Sequence, residues 1–534
     1  MMRKITLVAL SLLLAVTSLF TGCGSNKQPV SGNSSNIPSL TIGTTMKVEG
    51  INIEDYYFGI LRGIFTHKGL VKLDENSNFT GDMAKSWSTA DGQIWTFLLQ
   101  DGLTWHDGTK VTAADVKFAL EYNMKHSVEY RSHFSLIKSI STPDEKTVVI
   151  TLSKPNPRFL VNLLVLRTLP QHIFSAVDNP ATYNDPKAAI GCGPYVFEKL
   201  DTKAGIITFR ANTTYFRGPP PIPEIKVRLF KNPDALYMAL QNGEIALPYT
   251  YSAGTDPIYA ANLAKNPQIK LTNIPNLGVS KALIFNVTKP VVNDPQVRTA
   301  LSYAIDYNEL VRLFAPTSGI APTAGLVPRG TPGFVETRPL EFNPEHAKRL
   351  LEQAGYHLTD SNIREKNGQP LTFELLIRSD IPENIRLAEL LQKYFNNIGA
   401  KLTPKTVDIT LFQTIIDKDR SHTSMLSRTT PWGMMMWAGM GTGYMDARNI
   451  GWAMVSDAKF IDLIDNMNST LEPEAYKIHS AALQQYYAEN LPAIPLYWDS
   501  FIQPHNAALT GWKISPMYGV LNEETWYNLK NSTR

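Results

Sequence analysis

Side chains able to do covalent or metal chemistry are few in this chain and widely scattered. Its ten histidines include no i, i+4 pair of the kind that holds zinc on a helix face. No G-x-x-x-x-G-K-[ST], H-E-x-x-H, G-x-S-x-G or C-x-x-C string occurs. The glycines 439, 441 and 443 do not fit G-x-G-x-x-G and read as a loop with room for a ligand. Of the two cysteines, Cys192 lies in Gly191-Cys192-Gly193-Pro194-Tyr195, just before a strand-like run. A small buried residue at a tight chain entry is the expected role there, not a nucleophile. The methionines 434, 435, 436, 440 and 445 could bind soft Cu(I), but such side chains ordinarily fill irregular apolar gaps. No catalytic residue, metal site or cofactor is expected.

Binding chemistry is better represented. Aromatic residues make up 10% of the chain, enough to line a cleft as well as fill cores. Trp432, Trp437 and Tyr444 are the expected cleft-lining rings, with Tyr56 and Tyr57 from the early part of the chain. Arg167 stands in the apolar run FLVNLLVLRTLP, where a charge needs a partner.

The elements that must position these residues alternate along the sequence. Runs rich in β-branched and aromatic residues predict strands at 95–99, 147–152, 224–230, 281–287, 371–378 and 493–498. Thr112 with Asp115 forms a capping pair that opens a helix over 113–123. Asn232-Pro233, Asp294-Pro295 and Asn343-Pro344 each place a cap before a first-turn proline, and Gly243 and Gly355 end two of those helices. A chain of 534 residues exceeds one core, since domains run to roughly 100–200 residues. The formal net charge of +3 gives no basic excess for nucleic acid.

The N-terminus carries its own signal. Arg3 and Lys4 precede the apolar run 5–20, which is shorter than the roughly 20 residues a transmembrane helix needs. Thr21-Gly22-Cys23 follows and resembles a bacterial lipobox, with Phe20 where leucine is usual. Residues 1–22 are therefore expected to be a lipoprotein signal peptide, with Cys23 lipidated. Residues 23–37, rich in Ser, Asn and Gly, read as a flexible tether.

The longest informative string is AKSWSTADGQIWTFLLQDGLTWHDG (84–108). Turns at Asp91-Gly92, Asp101-Gly102 and Asp107-Gly108 around one strand explain it as structure. As a string it resembles the signature of the family 5 extracellular solute-binding proteins, with Gln100 where Lys or Arg is common. GCGPYVFEK (191–199), RANTTYFRGPPPIPEIKVRLF (210–230), NDPQVRTALSYAIDYNELV (293–311), NPEHAKRLLEQAGY (343–356) and LPAIPLYW (491–498) resemble further family segments in the same order.

The resemblance implies an α/β, two-lobed periplasmic-binding-protein type II fold with a hinge and an extra domain inserted in the first lobe. The implied boundaries are 38–72, 191–279 and 508–534 for lobe I, 73–190 for inserted domain II, and 280–507 for lobe III. The chain would change lobe near Gly191–Pro194 and 274–278. The implied function is an extracytoplasmic, membrane-anchored receptor that delivers a short peptide to ABC permease subunits with cytoplasmic ATPases, acting as a monomer. The alternative is nickel–chelate binding, because Leu426-Ser427-Arg428-Thr429-Thr430 and residues 364–371 resemble the nickel branch. By family position, Arg131 and Arg167 would meet ligand carboxylates, and a guanidinium fork suits that group. Asp446 would meet a peptide amino group or simply pair with Arg448. A signalling or adhesion lipoprotein, which needs no closing cleft, is the reading from another class.

Overall fold

The computed structural model describes residues 37–251, 254–275, 281–316, 319–327, 334–427 and 444–532. Three sheets organise it, each with its own core. In the first, strand Leu40–Thr44 lies parallel to Glu224–Leu229 and to Leu247–Pro248, and Ile206–Ala211 and Tyr195–Asp201 extend it antiparallel. The helix Tyr56–Phe65 packs here because Phe58, Leu61 and Phe65 recur at helical spacing and are all buried. Phe65 stacks on Phe209 and Trp526, with centroids 4.7 and 5.4 Å away. Asp55 caps this helix, its carboxylate accepting the Phe58 N–H at 2.8 Å.

The second sheet is antiparallel, in the order Ala84–Ser88, Ile94–Leu99, Thr147–Leu152, Ile137–Ser141. Helix Ala113–His126 covers it through Val116, Ala119 and Leu120, and opens with the expected Thr112–Asp115 capping box. Gly92, Gly102 and Gly108 all have positive φ, as turns at those positions require. His106 explains why the 84–108 string ends as it does. Its Nδ1 accepts the Gly191 N–H at 3.1 Å and its Nε2 donates to the Gly193 carbonyl at 3.1 Å. A Cβ on Gly191 would lie 1.8 Å from the Thr66 carbonyl oxygen, so only glycine fits this junction between the second core and the first.

The third sheet runs Lys401–Val407, Thr372–Arg378, Ser424–Ser427, Lys281–Phe285, Ala493–Tyr497. Alternate residues feed separate cores on its two faces. Leu283, Phe285, Leu375 and Ile377 join one, and Ala282, Ile284, Leu376 and Met425 the other. Two strands, Ile269–Pro275 and Ser500–Asn506, pair antiparallel between the first core and the third sheet. Ile274 and Phe501 of this ribbon sit in the first core, so the returning chain has left the third core by residue 501. The strands and helices expected from the sequence form within a few residues of their predicted ends. Among the described residues, no helix is long and apolar enough to cross a membrane.

Candidate functional site

The first and second bodies meet at Arg167, and the third approaches through Tyr444. Tyr518 packs against both the first and second cores, and Tyr444 against both the second and third. The chain reaches Arg167 after the short helix Phe159–Leu163, whose apolar side chains are buried. Arg167 is half-buried. Its Nη1 donates to the carbonyls of Leu164 (3.0 Å) and Leu166 (2.8 Å), and its Nη2 donates to the Tyr518 hydroxyl. Burial opposes its charge, but the oxygens of Tyr518, Tyr130 and Tyr251 reverse the effect and raise its pKa. No carboxylate among the described residues bonds it. The partner that its apolar run demanded is therefore a set of neutral oxygens, three of its five N–H groups being engaged.

Gly63, on the helix Tyr56–Phe65, makes room for this guanidinium. A Cβ there would lie 2.5 Å from Arg167 Nε and 2.6 Å from the Tyr518 oxygen. The preceding residue, Arg62, is 4% exposed, and its Nε has no hydrogen-bond partner. Arg62 and Arg167 repel each other electrostatically, and Tyr130 acts on both. Tyr518 and Tyr251 lie within electrostatic range of Arg167, and Tyr251 in turn of Tyr249, Tyr56, Tyr518 and Tyr444. Burial holds the Tyr249 and Tyr251 phenols well above their ordinary range, so both remain neutral. A cationic, phenol-rich junction of this kind can bind an anion through charge-assisted hydrogen bonds while stacking apolar groups on its rings.

The residues expected from the sequence fall out unevenly. Tyr251 links Arg167 to Tyr56 and Tyr444, and Tyr444 also stacks on Trp452 with centroids 3.9 Å apart. Tyr57 is buried on the same helix but turns toward the third body, donating to Asp380 and accepting from Arg378. Arg131 is solvent-exposed on helix Val128–Phe134. The arginine that adjoins Arg167 is Arg62. Asp446 is fully buried, and Arg448 holds its carboxylate at 2.7 Å, with Asn449 at 3.2 Å. Its pairing with Arg448 is thus the geometry that forms. Trp432, Trp437, Arg428 and Cys23 lie outside the described residues. Arg62, Tyr130, Tyr251 and Tyr518 are additions. Arg62 left one trace in the sequence: it stands four residues after Phe58 and three before Phe65, on the apolar stripe of YYFGILRGIF.

Other charged clusters are internally satisfied. Glu523 accepts from Tyr215 and lies among Lys68, Lys72 and Arg217, whose charges hold its carboxyl far below the usual range against the effect of burial.

Three sheets around a polar junction, joined by a paired two-strand ribbon, define a two-lobed binding protein of mixed α/β type. The bacterial extracellular solute-binding proteins, family 5 (middle region), match residues 78–461. This chain belongs to that family, whose members are transport binding proteins and not enzymes. It is 27% identical over 356 residues to an ABC transporter peptide-binding protein of Brucella ovis, spanning 65% of this chain and 63% of that protein. Over 348 residues it is 29% identical to the nickel-binding periplasmic protein of Escherichia coli K12, covering 63% and 65%. The oligopeptide-binding protein AppA of Bacillus subtilis is 23% identical over 99% of both chains. Its structure in complex with a nonapeptide superposes with a TM-score of 0.80 at 20% identity, covering 93% of this chain and 99% of that one.

Proposed function

We propose that this chain is the solute-capturing component of an ABC importer and that it binds a short peptide, whose carboxylate docks on Arg167 between closing lobes. The observation that carries this reading is a guanidinium without a carboxylate partner among the described residues, set beside Tyr518 and Tyr251 where the first and second cores meet. The separation of the cores supports lobes close to 38–72, 191–279 and 508–534, 73–190, and 280–507, with the ribbon Ile269–Pro275 and Ser500–Asn506 as the hinge. The names of the Brucella and Bacillus relatives support a peptide. The Escherichia coli relative, at 29% identity, favours a metal chelate as the second reading. Calorimetry with tripeptides, their carboxy-terminal amides and nickel–histidine separates the two. Binding of nickel–histidine but of no peptide would replace the first reading with the second. Equal binding of acids and amides would remove Arg167 from the site.

The anchor is a proposal of the same kind. A lipidated Cys23 holds the receptor on the extracytoplasmic face of the membrane beside its permease. Cys23→Ser is expected to release folded protein from the membrane fraction, and a variant that still sediments with membranes refutes the anchor.

A further inference from the structure

Helix Ala458–Ser469 ends without the glycine that commonly lets a helix turn back on its own carbonyls. Its last turn is completed by other groups. Ser469 Oγ donates to the Asp465 carbonyl at 2.7 Å, and Thr470 Oγ1 donates to that of Asn466 at 2.5 Å. The Met467 and Thr470 carbonyls are met from another body, where Arg158 Nη1 donates to them at 3.0 and 3.1 Å. The same guanidinium lies 3.5 Å from the centre of the Tyr476 ring, on the following helix Pro473–Asn490. Arg158 itself stands just before helix Phe159–Leu163 of the second core. The second body thus supplies a cation to the negative end of a third-body helix. Two neighbouring contacts cross the same seam. Lys154 pairs with Asp465 at 3.1 Å, about one turn back on that helix. The Asn156 N–H holds the Gly92 carbonyl at 2.8 Å, and a Cβ on Gly92 would lie 3.2 Å from Leu471 Cδ2. Asp465 also accepts from Arg448 at 3.1 and 3.2 Å, and Arg448 holds the fully buried Asp446 at 2.7 Å. A chain of charges therefore runs through Lys154, Asp465, Arg448 and Asp446, from the second body to the segment that carries Tyr444.

We propose that residues 153–158 of the second body are a clasp for the third, gripping the end of helix Ala458–Ser469 to favour the closed arrangement and to hold segment 444–455 in place. This rests on the reading of closing lobes and gives the second body a part in it. Arg158 carries most of the grip. The Lys154–Asp465 pair is open to solvent, with side chains 41% and 37% exposed, and pairs of that kind contribute little. Arg158 is half-buried and serves two carbonyls and a ring face at once, which its planar, delocalised group can do and an ammonium cannot. Water can replace every one of these contacts when the seam parts, so the grip is reversible. The segment it steadies is itself tied only by short links: the Ala447 N–H donates to Val455, and the Val455 N–H to Met445, each at 2.9 Å. Arg448, held by Asp465 on the gripped helix, spans that segment and the clasp.

The test compares the full chain with its double variant Lys154→Ala, Arg158→Ala, both without ligand. In solution scattering the variant is expected to have the larger radius of gyration. In amide hydrogen exchange, Ala447 and Val455 are expected to lose protection on the order of 10-fold, the effect of losing about one hydrogen bond to a charged group. An unchanged radius, or unchanged exchange at both amides, overturns the proposal. If the double variant does not fold, Tyr476→Leu removes the ring from the opposite side of the seam and is held to the same two readouts. The ligand-free comparison decides the clasp by itself, and a second arm separates it from the closing-lobe reading. Saturating Ala-Ala-Ala or nickel–histidine, whichever calorimetry shows to bind, is expected to bring parent and variant to one smaller radius. If the bound probe shrinks the parent while the two ligand-free chains scatter alike, the clasp fails and the closing lobes stand. If the bound probe shrinks neither chain, both fail.

Discussion

A single missing methyl group holds the candidate site open. Gly63 lies against the edge of Arg167, and a Cβ there would come within 2.5 Å of Nε. Alanine is the better helix former by roughly 0.5–1 kcal/mol, which offsets part of the cost of this overlap, so Gly63→Ala is expected to stay folded with at most a modestly lowered melting temperature. It is also expected to push the guanidinium out of register and weaken carboxylate binding, and calorimetry on the folded variant reads this directly. Unchanged affinity would mean that the position of Arg167 is irrelevant to the ligand. Arg167→Ala is expected to cost acidic ligands about 2–5 kcal/mol, the range for truncating one side of a buried charged pair. The same change should barely alter binding of the matching amides. Arg167→Lys is expected to behave more like the alanine variant than the parent. An ammonium cannot serve two carbonyls, Tyr518 and a carboxylate from one planar fork.

Individual elements carry pH dependence away from the ligand. His106 joins the turn before helix Ala113–His126 to Gly191 and Gly193, and burial lowers its pKa to about 4. The folded protein therefore binds that proton less readily than the unfolded chain, whose histidine titrates near 6.5. Stability from this group is fully present above about 6.5 and is lost progressively as pH falls toward about 4. His106→Gln is expected to flatten that limb of a melting-temperature profile, and a limb of unchanged slope would assign the loss to other groups. The helix Glu523–Asn528 has a separate dependence. Lys68, Lys72 and Arg217 depress the Glu523 carboxyl, so its contribution is present above the ordinary carboxylate range and is lost as pH falls through it toward the depressed value. Glu523→Gln removes the anion from a buried group of cations and is expected to cost about 3–5 kcal/mol in chemical denaturation.

Across the whole molecule, several polar contacts join the third body to the other two. Tyr57 meets Arg378 and Asp380, and Asp256 pairs with Arg386. On the second body, Arg158 lies 3.5 Å from the centre of the Tyr476 ring and donates to the carbonyls of Met467 and Thr470, while Lys154 pairs with Asp465 at 3.1 Å. Contacts of this type separate more readily than an apolar interface, which suits lobes that must open and close around a solute. Ligand is expected to shrink the radius of gyration in solution scattering. At 100 times Kd it is expected to stabilise the fold by about 2.7 kcal/mol. Arg386→Glu, facing Asp256, is expected to expand the ligand-free protein and weaken binding through the closing step. Identical scattering curves for parent and variant, with and without ligand, would contradict a closing cleft.

The sequence by itself determined what depends on neighbours along the chain. Strands such as Thr147–Leu152 follow from β-branched residues, and the helices starting at Pro233, Pro295 and Pro344 follow from a cap and a first-turn proline. The 84–108 string and its companions identified the family, because turns and caps at fixed offsets leave a readable pattern. Tertiary structure decided which charges meet. Arg131 and Arg167 looked equivalent by position, but Arg131 lies on an exposed helix face, while Arg62, Arg167 and Tyr518 converge from distant parts of the chain. Asp446 was equally ambiguous until folding buried it against Arg448. Side-chain type records that a charge needs a partner, but the partner is chosen by long-range packing, and one-dimensional spacing carries no trace of that choice.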